Sequence, residues 1–419
     1  MEDKNRYRFV IQAAVVLVRG CIGLIWASAG PLIPLLMEAF KISRGEAGWF
    51  ASSAPLAIAA VSIPAGIIMA RYSLKKTFAV GALLQAGGIL APLVDSYVWI
   101  VATRIVFAIG TAITVPIATA IAAEWFSNRE LPLINGITMT FISLGNALAY
   151  VLTVPIATVI SWKAPITIYG AVALTCAVAW FIFGRDRRPD KTAPLAKDAS
   201  TANGNGHGLS IKQALTQRST LLLAFATMGM WALGNAIGSW LPSYYHEVFK
   251  MPLGKASSIA AIITGAGAVA CFVGGILPIR LGRRKPFLIV PGIFMGVAAL
   301  SSVMFSNPLL IYVSVALFGV FSSLQAPTLF TIPMELPNCS PRTGALVISV
   351  MQCGGNLGNF IGPLLVGYLA DMTGSYLPGF ITCAVFSLSL LVAGVLLPET
   401  GPKAKPVAVL QPAQPALAK

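Results

Sequence analysis

Apolar runs follow one another along the whole chain, and short breaks that are basic or rich in Pro and Gly separate them. A run of about 20 apolar residues can cross a bilayer as an α-helix. Lipid offers no partners for the backbone of loops or open strands, so the runs are predicted to be helical. The pattern predicts twelve spans, at residues 10–37, 47–70, 77–95, 97–125, 133–160, 164–184, 219–246, 256–279, 286–305, 308–335, 343–370 and 376–397. The predicted fold class is all-α and integral to the membrane.

One stretch of the chain occurs twice. The earlier copy is Gly66-Ile-Ile-Met-Ala-Arg71-Tyr-Ser73-Leu-Lys75-Lys76, and the later is Gly275-Ile-Leu-Pro-Ile-Arg280-Leu-Gly282-Arg-Arg284-Lys285, 209 positions further on. This duplication predicts two pseudo-symmetric six-helix bundles. We place them at residues 1–184, with a short polar arm over 1–8, and at 219–400. A cytosolic linker over 185–218 separates them, and a disordered tail over 401–419 follows.

The composition excludes most soluble functions. The chain is 57% hydrophobic and 10% charged, whereas soluble domains carry about 25% charged residues. Most of its 29 Lys and Arg fall on one side of the predicted spans, which is the asymmetry that orients membrane proteins. The net charge of +15 therefore indicates topology and some attraction to anionic membrane lipid, and no nucleic-acid partner is expected. We predict a multi-pass protein of the plasma (bacterial inner) membrane with both termini in the cytosol.

Several kinds of chemistry have no signal in the sequence. The six cysteines form no CxxC pair, so neither a disulfide nor a metal site is expected. There is no nucleophile–base pairing and no phosphate loop, and this argues against an enzyme and against a cofactor. A membrane sensor that does not transport would need a folded appendage, which neither the linker nor the tail offers. We expect a monomer.

The repeated basic loops suggest a gate. An acid follows the fourth and the tenth predicted helices, at Glu124 and Glu335. Arg71 and Arg280 could each reach one of these carboxylates, and such pairs form and break at modest cost. We predict these four residues to close the cytosolic side.

The same features resemble the major facilitator superfamily, over about residues 9–400. Six plus six helices, a basic central loop and a Gly-x4-Arg-x-Gly-x-Arg-Lys loop in each half carry the resemblance. The loop departs from the family pattern, because Ala70 and Ile279 stand where an acid usually precedes the arginine, and Ser73 replaces a glycine. The resemblance implies a secondary transporter in which the two halves rock around a central cavity.

Two arginines lie within predicted spans, Arg19 in the first and Arg104 in the fourth. A guanidinium at mid-membrane costs about 2.5–3.5 kcal/mol even on the most lenient scale, so such residues are usually functional. Their placement resembles the anion:cation symporter branch, which implies a small anionic substrate of carboxylate type, moved with protons or by exchange. The alternatives are packing or gating for Arg104 and snorkelling to the cytosol for Arg19.

Polar and aromatic positions complete the predicted site. Asn356 lies 210 positions after Asn146, and both belong to amide-rich helix faces. Such faces could instead form hydrogen bonds between neighbouring helices. The substrate residues we predict, besides the two arginines, are Trp26, Tyr150, Trp231, Asn235, Gln325 and Asn356. No acid lies at mid-membrane, which disfavours a cationic substrate. The alternative function is an exporter of hydrophobic drugs or neutral metabolites, with a wide apolar cavity.

Overall fold

The computed structural model describes residues 2–69, 73–126, 130–186, 217–335 and 341–401, and every regular element within these ranges is a helix. Almost all of the linker and the tail, and Arg71 in the first basic loop, lie outside the described residues.

The N-terminal half contains α1 (Glu2–Ala27), α2 (Ala29–Phe40), α3 (Arg44–Met69), α4 (Leu74–Gln85), a 3₁₀ helix (Ala86–Leu93) that continues α4, α5 (Tyr97–Trp125), α6 (Leu131–Val159) and α7 (Ala164–Phe183). The C-terminal half contains α8 (Arg218–Glu247), α9 (Leu253–Leu281), α10 (Pro286–Met304), α11 (Pro308–Leu324), α12 (Ala326–Glu335), α13 (Pro341–Thr373), α14 (Leu377–Ser387) and α15 (Ser389–Leu396).

Three of the predicted spans are interrupted. α1 and α2 are separated at Ser28, α11 and α12 at Gln325, and α14 and α15 at Leu388. Pro31 and Pro34 follow the first break and Pro327 follows the second, and proline supplies no backbone donor to the preceding turn. Each interrupted pair crosses as one span, so the described helices form two sets of six, as predicted.

The start of α1 differs from the prediction of a short arm. The helix begins at Glu2, and Arg8 near its start forms an ion pair with Glu130 before α6, at 3.0 Å. The side chain of Arg8 also lies over the ring of Phe126, 5.4 Å from its centroid. These contacts tie Arg8 to the α5–α6 connection, so α1 already packs on the bundle before Phe9, where the prediction placed its start.

The helices pack closely where glycine removes the side chain. α1 lies against α6, and a Cβ on Gly23 would overlap the carbonyl of Ile142. α8 lies against α13 in the same way, and a Cβ on Gly358 would overlap the carbonyl of Met228. These equivalent contacts in the two halves reflect the duplication.

The two halves meet along α3 with α13, α2 with α8, and α6 with α9. We call the end of the bundle that holds Arg8, Asp186 and Glu399 the terminal end. The far end holds the connections 41–43, 94–96, 160–163, 248–252, 305–307 and 374–376.

Candidate functional site

A cavity of about 510 Å³ lies between the two halves. Helices α1, α2 and α6 form one wall, and α8, α9, α11, α12 and α13 form the other. Its lining includes Trp26, Gly30, Met139, Ile142, Ser143, Asn146, Tyr150, Trp231, Asn235, Ile263, Thr264, Cys271, Phe318, Ser323, Phe330 and Asn359. Four of the predicted substrate residues, Trp26, Tyr150, Trp231 and Asn235, therefore line one cavity.

Several polar groups of the cavity lining are already bonded to helix backbone. The hydroxyl of Tyr150 donates to the carbonyl of Gly238 at 3.0 Å, across the two halves. Nδ2 of Asn235 donates to the carbonyl of Asn359 at 2.7 Å. By contrast, Oδ1 of Asn146 has no hydrogen-bond partner among the described residues. The wall is mainly aromatic and apolar, with few polar atoms left for a ligand.

Arg19 is 5% exposed, and the part of the chain that the structure describes offers no hydrogen-bond partner to its Nε and Nη1. It does not line the cavity directly. It shares a face of α1 with Trp26, because seven residues are close to two whole helical turns. Its burial rules out snorkelling as the explanation of its position. Arg19 is a buried cation beside the cavity without a counter-group.

Arg104 has a different environment from the one predicted. Its Nη1 and Nη2 donate to the carbonyls of Ile25 and Trp26, each at 3.0 Å, and its guanidinium lies 4.4 Å from the ring centroid of Phe50. The carbonyls in the last turn of a helix lack partners within the helix, and α1 ends two residues before Ala29 begins α2. Arg104 faces a separate small cavity of about 20 Å³. Its contacts match the packing role that the sequence left open.

Two other predicted substrate residues lie away from the cavity lining. Gln325 is fully buried at the break between α11 and α12, where its Nε2 donates to the carbonyl of Ser322 at 2.8 Å. The amide of Asn356 donates to the carbonyl of Gln352, one turn earlier in α13, at 3.0 Å. Both amides bond to backbone of nearby turns, which sequence periodicity alone could not reveal.

The sequence profile of the Major Facilitator Superfamily matches residues 15–346 and 280–418 of the chain. The chain belongs to the major facilitator superfamily.

Two relatives and one solved structure agree with this assignment. The chain is 26% identical to a probable sulfoacetate transporter of Cupriavidus necator, over 86% of this chain and 87% of that protein. It is 25% identical to a hexuronate transporter of Bacillus subtilis, over 88% and 90% respectively. A bacterial homologue of the human lysosomal transporter Spinster, solved in an inward-facing and unoccupied conformation, has the same fold, with a TM-score of 0.75, 14% identity, and coverage of 93% of this chain and 95% of that one.

In a major facilitator protein the contacts between the halves decide which end is closed, and here the far end is closed by a cluster that the sequence analysis missed. Nη2 of Arg44 lies 2.8 Å from Oε2 of Glu247, and its Nε donates to the hydroxyl of Tyr376 at 2.9 Å. That hydroxyl donates to Oε1 of Glu247 at 2.9 Å. Burial raises the pKa of Tyr376, so the phenol stays a donor. We call Arg44, Glu247, Asp371 and Tyr376 the far-end latch.

The fourth member of the latch caps a helix of the other half. The carboxylate of Asp371, near the end of α13, accepts hydrogen bonds from the backbone nitrogens of Arg44 at 3.0 Å and Gly45 at 2.7 Å, in the first turn of α3. Ser43 and Glu46 complete the cap within α3 by exchanging side-chain and backbone hydrogen bonds. A carboxylate is favourable at a helix N-terminus. The cap therefore holds the halves together.

The predicted cytosolic gate is arranged differently at the terminal end. Glu335 pairs with Arg284, at 2.7 and 3.1 Å, and not with Arg280, which is exposed. Gly282, with φ of 68°, ends α9 and turns the loop so that Arg284 faces Glu335. The hydrogen bond with Glu335 raises the pKa of Arg284. Arg71 lies outside the described residues, so its pairing with Glu124 stays a prediction.

A signal for the latch was present in the sequence. Arg44 is one of the few cations on the side that the positive-inside asymmetry leaves poor in basic residues, together with Lys41, Lys163, Lys250 and Lys255. Glu247 and Asp371 are predicted on that same side. Opposite charges from different halves at one end would have suggested a contact, although their pairing depends on a tertiary arrangement.

Proposed function

We propose that this protein transports a small organic anion by alternating access, and that Arg19 balances the charge of the substrate. The observation that carries the proposal is the burial of Arg19 without a counter-group beside a cavity between the two halves. A desolvated cation is costly when it is unpaired. A carboxylate or sulfonate that enters the cavity would relieve that cost through charge-assisted hydrogen bonds.

The relatives support an anionic substrate. The two relatives described above are named for sulfoacetate and hexuronate transport, and each matches this chain nearly end to end. The coupling partner that we propose is a proton or an exchanged anion. No mid-membrane acid is available in the sequence to carry a proton, so exchange, or a proton carried on the substrate, fits the chain better than a protonated cavity residue.

The proposed orientation follows from the basic residues. With both termini in the cytosol, the far end faces outward and the latch closes the outer side. The cavity would then communicate with the cytosol, and the cycle would alternate between breaking and remaking the latch.

The direct test is substrate-induced thermal stabilisation of the purified protein, with sulfoacetate and a hexuronate as probes. Arg19→Ala should weaken anion binding by about 2–5 kcal/mol, because it removes one partner of a desolvated charge pair. The Tm without ligand should hold, because the substitution removes a cation that has no described partner. Gln12→Leu is the matched control, since Gln12 is a buried polar residue of α1 that bonds to Thr138 away from the cavity. Full stabilisation of Arg19→Ala by both anions would overturn the proposal.

One observation favours a second candidate, an exporter of hydrophobic compounds or neutral metabolites. The cavity wall includes Trp26, Trp231, Phe318 and Phe330, and Nη1 and Nη2 of Arg104 bond to helix carbonyls away from the cavity. This candidate predicts that apolar amines or dyes stabilise the protein and that Arg19→Ala does not alter their effect. The same thermal-shift panel therefore distinguishes the two functions.

A further inference from the structure

Two polar groups of opposite character are unpaired near one contact between α1 and α6, where Gly20 and Gly23 meet Gly145 and Asn146. Arg19 carries donors without a described acceptor, and Asn146 carries the acceptor Oδ1 without a described donor. Gly23, four residues or about 6 Å after Arg19 along α1, meets α6 at this asparagine. An ideal Cβ on Gly23 would lie 3.0 Å from the backbone nitrogen of Asn146. The unbalanced charge of Arg19 and the unused acceptor of Asn146 therefore lie near the same contact between α1 and α6.

Asn146 differs in this respect from three other polar residues of the cavity. Tyr150 and Asn235 donate to backbone carbonyls, and Thr264 donates to the carbonyl of Ala261 at 2.8 Å. Those bonds hold helices or side chains in place. A buried acceptor without a donor lowers the stability of the empty protein, and a cavity residue can recover that loss only when a ligand or water supplies the donor.

We propose that Asn146 is a specificity residue that accepts a hydrogen bond from a hydroxyl group of the substrate. The inference rests on the proposed function, because it assigns the anionic group of the same substrate to Arg19. The substrate class is then a small hydroxylated organic anion, with a hydroxyl a few bonds from its carboxylate or sulfonate.

The physical basis of the selectivity is the penalty for an unmatched group. A site built to bond a hydroxyl rejects the analogue without it, because the acceptor in the site stays desolvated and unpaired. Bare anions of the same size would still bind through Arg19, but more weakly. We expect wild-type protein to prefer a hydroxylated anion over its deoxy partner by roughly tenfold to a hundredfold in Kd.

The experiment measures Kd by calorimetry on the full-length purified protein for two matched pairs of probes. The pairs are lactate with propionate and 2-hydroxyethanesulfonate with ethanesulfonate. The variants are Asn146→Leu and, should its bulk disturb the contact with α1, Asn146→Ala. Asn356→Leu is the matched control, since Asn356 is the repeat-related asparagine and lies away from the cavity lining, bonded within its own helix.

The expected result is loss of discrimination in both Asn146 variants, with the weaker binding of propionate and ethanesulfonate unchanged, and full discrimination in Asn356→Leu. Equal affinity for both members of each pair in the wild type would overturn the specificity role and leave the anion proposal standing. A uniform loss for all four probes in the Asn146 variants would also overturn it, since Asn146 would then act only by orienting Arg19. If no anion binds the wild type, the proposed function itself fails, and with it this inference.

Discussion

The two ends of the molecule use ion pairs in opposite ways. At the far end, Arg44 of the N-terminal half bonds Glu247 and Tyr376 of the C-terminal half, and Asp371 caps α3 across the same boundary. At the terminal end, the ion pairs of Arg8 with Glu130 and of Arg284 with Glu335 each join residues of one half. Charges near the predicted outer surface hold the halves to each other, whereas those at the other end hold each half together. The conformation is therefore set at the far end.

The strongest test of this contrast is Arg44→Gln. It removes the ion pair with Glu247, the bond to Tyr376 and the contact with the Tyr376 ring. Arg44 and Glu247 are partly exposed, so we expect far-end closure to weaken by only about 1–2 kcal/mol, which is roughly a 5–30-fold change in the ratio of closed to open molecules. Spin labels at Glu38 and Lys255, both exposed on opposite halves at this end, would show a longer distance.

The control for that experiment is Asp95→Asn. Asp95 pairs with Lys163 at 2.9 Å, also at the far end but within the N-terminal half. Its loss should leave the distance between the labels unchanged. The native exposed Cys353 would be replaced before labelling. An equal change in both variants would mean that the loss of any charge at this end loosens the structure, and the latch would have no special role.

A smaller effect is expected from Asp371→Asn. Asparagine keeps one amide oxygen to accept from the first turn of α3 but loses the negative charge that favours a helix N-terminus. We expect far-end closure to weaken by about 0.5–1 kcal/mol, in the same direction as for Arg44→Gln. The measurement is the same label distance, and the effect should be larger at low salt than at high salt. An unchanged distance at low salt would count against the cap as a link between the halves.

The smallest effect on the far end is expected from Glu335→Gln. The substitution breaks the pair with Arg284 and weakens the bond from Thr400, all inside the C-terminal half. Stability of that half should fall by about 1 kcal/mol, seen as a lower Tm. The far-end distance should not change. A far-end opening in this variant would show that the two ends are coupled through the C-terminal half, contrary to the contrast drawn above.

The fold could be predicted almost completely from the sequence, because each span is specified locally. An apolar run of membrane length has to be helical, and the duplicated loops divide the chain into halves. The breaks at Ser28 and Gln325 were missed, although the prolines that follow them were visible. A proline in a membrane helix is compatible with a bend or a break, and only packing decides between them.

The site was predictable only in part, for a similar reason. The family resemblance placed Trp26 and Trp231, and Asn235 with them, on helices that line the cavity. Neither the resemblance nor periodicity could show that two nitrogens of Arg104 would bond carbonyls of α1, since those carbonyls become available only where α1 ends. In the same way, a bonded Asn356 and an unbonded Asn146 occupy related positions in the repeat. Tertiary partners, and not residue type, separate the two.

The cap on α3 couples hydrogen exchange of backbone amides to the relative motion of the two halves. The amide protons of Arg44 and Gly45 are shielded by a carboxylate that belongs to the other half. When the halves part at this end, those two protons must find water instead, while the amide of Glu46 keeps its bond to Ser43. Hydrogen exchange at the amides of Arg44 and Gly45 should therefore follow how often the far end opens. The amide of Glu46 serves as an internal reference. Amide exchange in the first turn of α3 thus reports how often the transport cycle opens the far end.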